Sequence, residues 1–212
     1  MIKGVFFDFW GTLVENGTYS PIKQSYGILR VNMPFNEFAE KFENVLMTKK
    51  YEDQATAFQE VCQAFDVNPI PIVIEKLIGV WNKNRLLARL YSDTIDTLKA
   101  LKEKKIKVAL ISNAPSGSVE PVLERFEMND LFDGIFLSCE VGKLKTNGLF
   151  EAAMKKLKLN PENIISIGDS IETDIKGAEA VGIKAYLLDR KGRREFENKI
   201  MTLTEILKLV ED

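Results

Sequence analysis

The residues suited to chemistry sit at the ends of apolar runs. Val5-Phe6-Phe7 ends in Asp8, followed by Gly11 and Thr12; far downstream, Ile164 to Ile167 ends in Gly168-Asp169-Ser170, with Asp174 close behind. Two carboxylates delivered by two strand ends to one edge of a sheet can hold a hard cation between them. One of them can then act as a nucleophile toward a phosphoryl group. Asp169 and Asp174 form the strongest local signal. The run Gly-Asp-Ser-Ile-Glu-Thr-Asp places two acids across a turn into a helix, and capping accounts for one of them but not both. Ser112-Asn113 closes a further apolar run, where a hydroxyl and successive backbone N–H groups can wrap an anion. Lys145, just past Gly142-Lys143-Leu144, can reach a phosphate from that edge as a point charge, with Lys143 as the competing residue. The chain has no histidine, so any mechanism that needs an imidazole as base, triad member or zinc ligand is excluded.

These residues need a sheet that brings its strand ends together. Strands are predicted over Ile2–Asp8, Val108–Ser112, Ile135–Ser138, Ile164–Gly168 and Lys184–Leu188, apolar on both faces as central parallel strands are. Helical stripes separate them: Ile95, Leu98 and Leu101; Val119, Val122, Leu123 and Phe126; Phe150, Met154 and Leu157; Ile175, Ala178 and Val181. Strand alternating with helix predicts an α/β fold with a doubly wound parallel sheet, strand C-termini on one edge. Thr202-Leu203-Thr204-Glu205 reads as a capping box opening a last helix.

Residues 15–88 break this rhythm. Pro21, Pro34, Pro69 and Pro71 punctuate helical segments with stripes at Phe35, Phe38, Phe42 and Leu46, at Phe58, Val61, Cys62 and Phe65, and at Ile74, Leu77, Ile78 and Trp81. This is the pattern of a small helical bundle. Inserted just after Asp8, it is expected to cover the active edge as a lid. The expected division is a core of residues 1–14 and 89–212 with a helical cap of 15–88. Tyr19, Lys23, Arg30, Lys49, Lys50 and Arg85 are the insert's candidate anion contacts.

Bulk properties narrow the function. The 212 residues carry 29 Lys plus Arg against 31 Asp plus Glu, a net charge of −2, so no basic excess points to nucleic acid. No apolar run reaches membrane-spanning length. Cys62 and Cys139 fit no metal spacing and read as reduced, buried thiols. The chain opens directly on a strand, and a cytoplasmic location is the expectation. Monomer and homodimer are both compatible with the sequence.

Taken in order, these pieces resemble the haloacid dehalogenase-like (HAD) hydrolase superfamily. Asp8 and Thr12 match its first motif, Asp-x-Asp-x-Thr, although Trp10 stands at the second aspartate; Ser112 matches the second motif. Lys145 matches the third, with Thr146 where proline is common, and Gly168, Asp169 and Asp174 match Gly-Asp-x-x-x-x-Asp. Tyr91-Ser92-Asp93, where the chain re-enters the core, is also similar to the family. The resemblance implies a Rossmann-like core with a cap between the first and second motifs. It implies Mg²⁺ held by Asp8, Asp169, Asp174 and the backbone carbonyl of Trp10. Asp8 would form an aspartyl-phosphate with a small phosphate ester, while Lys145, Ser112 and Asn113 meet the phosphoryl charge.

Trp10 marks the departure. The missing aspartate protonates the leaving alcohol, help worth on the order of 10²–10⁴ in rate, and an indole N–H cannot supply it. Three readings follow: a phosphatase using another acid, such as Glu15 or Glu140; a 2-haloacid dehalogenase, which needs no acid and would take Arg30 for the substrate carboxylate; or a weakly catalytic binding protein. The retained acids of the fourth motif favour the Mg²⁺-dependent phosphatase, because without a cation they would repel the charge on Asp8.

Overall fold

The computed structural model describes residues 1–15 and 20–211. Its sheet is built from β1 (Gly4–Phe7), β2 (Lys107–Ser112), β3 (Gly134–Leu137), β4 (Ile164–Gly168), β5 (Lys184–Leu188) and β6 (Lys199–Ile200). Every pair is parallel, in the order β3-β2-β1-β4-β5-β6. Alternation along β1 shows why its run is apolar throughout: Val5 and Phe7 enter one core, Phe6 the other. The chain builds outward from β1 through β2 to β3, then returns to the other side at β4. That reversal makes a topological switch point beside β1, where the edge opens into a crevice.

Helices cover both faces. α1 (Pro21–Leu29), α2 (Phe35–Leu46), α3 (Gln54–Ala64) and α4 (Pro71–Leu86) come first, and α5 (Thr94–Glu103), α6 (Glu120–Arg125), α7 (Ser138–Val141), α8 (Leu149–Leu157), α9 (Lys176–Glu179) and α10 (Ile206–Leu209) surround the sheet. Leu98 and Leu101 of α5, Val122 of α6 and Ile206 of α10 join the Val5 side, whereas Phe150 of α8 and Ala178 of α9 join the Phe6 side. Compared with the sequence expectation, β1 is shorter at both ends, β2 and β3 begin one residue earlier, β3 also ends one earlier, and β4 and β5 keep their bounds. The two-residue strand β6 is additional, too short to leave an apolar run. The Thr202–Glu205 capping box is present, though it opens a 3₁₀ turn before α10. No helix among the described residues is long and apolar enough to cross a membrane.

Helices α1–α4 bury their own cluster, centred on Phe38, Phe42, Phe58, Leu77 and Trp81. Ser20 accepts the Lys23 N–H at the start of α1, Asp53 accepts the Thr56 N–H at 2.8 Å at the start of α3, and Pro71 occupies the first turn of α4. The Trp81 indole donates to Ser25 Oγ at 3.2 Å, so the ring is buried without an orphaned N–H. Leu144, from the loop after α7, also packs into this cluster. Phe35 begins its predicted stripe but is exposed.

The turn after β1 is tied to the C-terminal part of the chain. Arg190 donates to both Asp93 carboxylate oxygens at 2.9 and 3.0 Å and to the Thr12 carbonyl at 3.0 Å, and its guanidinium lies 3.7 Å over the Tyr91 ring. Burial opposes charge on Asp93, but the Arg190 and Leu203 N–H donors prevail and hold its carboxyl below the usual range. A group with a lowered folded pKa stabilises the fold above its ordinary value and loses that contribution as pH falls through the folded one. Arg190→Met should therefore cost about 1.5–3 kcal/mol at neutral pH. The deficit should narrow below about pH 4. Urea unfolding at both pH values checks this; an equal deficit at both would contradict it.

Candidate active site

The register of the sheet builds the site. Phe7 pairs with Leu110 on one side and Ile167 on the other, so Asp8, Ser112 and Asp169 emerge from neighbouring strand ends. The Asp8 N–H continues the ladder to the Ile167 carbonyl at 2.9 Å. Gly11, at φ 87°, turns the chain sharply and returns the buried Thr12 beneath Asp8, where its hydroxyl donates to Asp8 Oδ2 at 3.1 Å. Beyond β4, a π-helical turn over Ile171–Ile175 brings Asp174 back onto the strand end. Its Oδ2 accepts the Ser170 N–H at 2.9 Å. Gly168 makes this approach possible, since a methyl group there would lie 2.1 Å from Asp174 Oδ2.

Lys145 closes the cluster. Its fully buried ammonium donates to Asp8 Oδ1 and, at 2.6 Å, to Asp174 Oδ1. Lys143 remains exposed, which decides between the two lysines. The Lys145 N–H donates to Asn113 Oδ1 at 2.9 Å, and Asn113 Nδ2 donates to Glu43 Oε2 of α2 at 2.9 Å. The asparagine thus joins the lysine loop to the helical segment.

Charge here is unbalanced. Asp8, Asp169 and Asp174 each offer an oxygen within 4.8 Å of the other two, and Lys145 is the one ammonium among them. Burial pushes Asp8 up to about 6 against the pull of Lys145. Burial, with Asp8 and Asp174 nearby, pushes Asp169 up to about 8. Lys145 is held above its usual range because the two aspartates outweigh its desolvation. Asp169 accepts no side-chain hydrogen bond among the described residues. A hard divalent cation fits this all-oxygen donor set, and by supplying the missing positive charge it would return the carboxylates to their ionised forms.

Of the residues anticipated from sequence, Asp8, Trp10, Ser112, Asn113, Lys145, Asp169 and Asp174 all line one cavity of about 310 Å³, and Thr12 lies just behind it. Trp10 lines this space, and its ring stands edge-on to Phe9 with centroids 5.1 Å apart. The proposed anion contacts of the insert fare differently. Tyr19 lies outside the described residues. Lys23 is exposed, Lys49 pairs with Glu60 and Lys50 with Glu140. Arg30 opens onto a separate cleft with Val73 and Lys76. Arg85 does line the cavity, donating to the Gly117 carbonyl at 3.2 Å.

Glu43 was not foreseen. Phe35, Ala39, Glu43 and Met47 follow one another at four-residue spacing and all face the cavity, which explains the exposure of Phe35. An acid embedded in an otherwise apolar helical stripe was the signal available for it.

A parallel doubly wound sheet with an acid–lysine cluster at its switch point defines an α/β, Rossmann-like architecture. A family model, haloacid dehalogenase-like hydrolase, matches residues 2–182. The chain belongs to that family. It is similar to a glyceraldehyde 3-phosphate phosphatase of Methanothermobacter thermautotrophicus, 27% identical over 195 residues, which span 89% of this chain and 86% of that protein. Among solved structures, a HAD phosphatase from Thermococcus onnurineus aligns over 99% of this chain and 98% of its own at 22% identity and TM-score 0.65. A 2-haloacid dehalogenase from Pseudomonas syringae aligns over 100% and 99% at 16% identity and TM-score 0.68. These two structures share the fold.

Because Asp174 leans against Gly168, Gly168→Ala should push that carboxylate off the lysine. Overpacking of this kind costs about 1–3 kcal/mol, readable as a lowered thermal midpoint. An unchanged midpoint would mean that Asp174 is not fixed by this contact.

Proposed function

We propose that this protein is a Mg²⁺-dependent phosphatase acting on a small phosphorylated metabolite through an aspartyl-phosphate on Asp8. The observation that carries the reading is the Lys145 ammonium shared by Asp8 and Asp174 beside Asp169, in a cavity sized for a small ester. Asp8, Asp169 and Asp174, with the backbone carbonyl of Trp10, would hold the ion. Mg²⁺ bound there supplies positive charge that lets a carboxylate approach a phosphate dianion.

Asp8 Oδ1 or Oδ2 attacks phosphorus, the ester bond breaks on the far side, and water later cleaves the acyl-phosphate. Thr12 fixes the Asp8 carboxylate. Lys145, Ser112 and Asn113 meet the phosphoryl oxygens, and Lys145 keeps its charge throughout because the aspartates hold its proton. Residues 15–88 act as a cap that excludes water and selects the ester. The M. thermautotrophicus relative, named for a triose phosphate, supports a short sugar phosphate as substrate.

Dehalogenation is the weaker reading. Three carboxylates would repel the carboxylate of a haloacid, and Arg30 faces a different cleft.

The test is phosphate release from glyceraldehyde 3-phosphate, phosphoglycolate and ribose 5-phosphate with Mg²⁺. Turnover should vanish with chelator and fall by on the order of 10³-fold or more in Asp8→Asn, as loss of a covalent nucleophile does. Halide release from a 2-haloacid in the presence of chelator, without phosphate release, would overturn the reading.

A further inference from the structure

In-line displacement at phosphorus places the leaving oxygen opposite the attacking one. Asp8 attacks from the sheet edge, so the ester oxygen departs toward the helices that roof the cavity. A proton must meet it there. At the position where the family carries its acid, this chain has Trp10, whose indole is no proton donor at working pH.

The two acids suggested by sequence do not reach this space. Glu15 is exposed and opens, with Tyr91 and Arg190, onto a neighbouring cleft that shares Asp169 with the cavity, but Glu15 itself does not line the cavity. Glu140 is paired with Lys50 and does not line the cavity. The acids that do line it are Asp8, Asp169 and Asp174 on the sheet side, and Glu43 on the helical side.

We infer that Glu43 is the general acid and base of the reaction, standing in for the aspartate that Trp10 replaces; the inference rests on the phosphatase reading above. Its carboxyl is oriented rather than free. Asn113 Oδ1 is committed to the Lys145 N–H, which turns Nδ2 toward Glu43 Oε2 at 2.9 Å. One carboxyl oxygen is thereby held and the other is left to serve substrate.

The surroundings favour the protonated form. Burial pushes the Glu43 carboxyl above its usual range, Asn113 and Lys145 oppose this, and Asp174 and Asp8 reinforce it. Asp169 and Arg85 are the other charged groups on the same cavity. An arriving phosphate dianion adds to the bias toward the neutral acid.

The protons balance. As the Asp8 oxygen bonds to phosphorus and the P–O ester bond breaks, the leaving oxygen takes the Glu43 proton and departs as the alcohol. Water then enters the vacated side. Glu43 carboxylate accepts one of its protons while the water oxygen bonds to phosphorus and the P–O bond to Asp8 breaks. Hydrogen phosphate leaves, with Asp8 ionised and Glu43 protonated as at the start.

The test compares Glu43→Gln with the wild-type protein on an alkyl ester, glycerol 3-phosphate, and an aryl ester, 4-nitrophenyl phosphate, whose leaving group needs no proton. Glutamine preserves the contact with Asn113. Alkyl turnover should fall by about 10²–10⁴-fold. The aryl ester should give a burst of about one equivalent of nitrophenol followed by slow turnover, because the second step also lacks its base. Adding Trp10→Asp to Glu43→Gln should restore part of the alkyl activity.

In the wild-type protein, which carries no folding risk, alkyl turnover should decline with rising pH while the rate of the first aryl turnover stays level. Equal losses on both esters without a burst, no loss on either, or parallel pH profiles would overturn the role of Glu43. Absence of phosphate release by the wild-type protein from every ester would instead overturn the phosphatase reading, and this role with it.

Discussion

Three carboxylates and one ammonium share a buried spot at the sheet edge, and the need to balance that charge governs what surrounds it. Lys145 can sit there because Asp8 and Asp174 accept hydrogen bonds from its ammonium on two sides; without them its burial would be prohibitive. Asp169 is left outside that pairing. An arrangement with surplus negative charge and open oxygen ligands is poised for a cation, and for a dianionic group that arrives with it.

Backbone geometry enforces this closeness. Gly168 leaves room for Asp174, and at Gly177 a methyl group would come within 2.9 Å of the Lys145 carbonyl, so α9 lies directly against the lysine loop. Asn113 then carries the arrangement across to α2 through Glu43. In the proposed reaction the sheet edge supplies the charges that would engage a phosphoryl group. The helices contribute Glu43 and Arg85 to the same cavity, on the side the proposed reaction gives to the rest of the ester.

The sheet and its chemistry were legible because each strand ends an apolar run in a polar residue at Asp8, Ser112 and Asp169. The acids and Lys145 could be placed before any coordinates, since parallel strands put their C-termini on one edge. Strand β6 was not legible, being two residues long. The choice of Lys145 over Lys143 depended on the turn after α7, which spacing alone does not determine. The reach of the helical segment was hardest to foresee. Its apolar stripes identify helices, but whether Glu43 or Arg30 faces the site depends on how α1 and α2 dock, and no local pattern encodes that. Nor could the sequence say that neither Glu15 nor Glu140 lines the cavity, since each follows soon after a strand end.

The account turns on Asp8 as the residue that carries the phosphoryl group. The most direct measurement is mass spectrometry of the protein quenched in acid during turnover of a small phosphate ester with Mg²⁺. The account predicts the mass of one phosphoryl group on the peptide spanning residues 4–23, lost on treatment with hydroxylamine, and localised to Asp8. Steady phosphate release with no modified residue under rapid quench, or with the group on any other side chain, would contradict it.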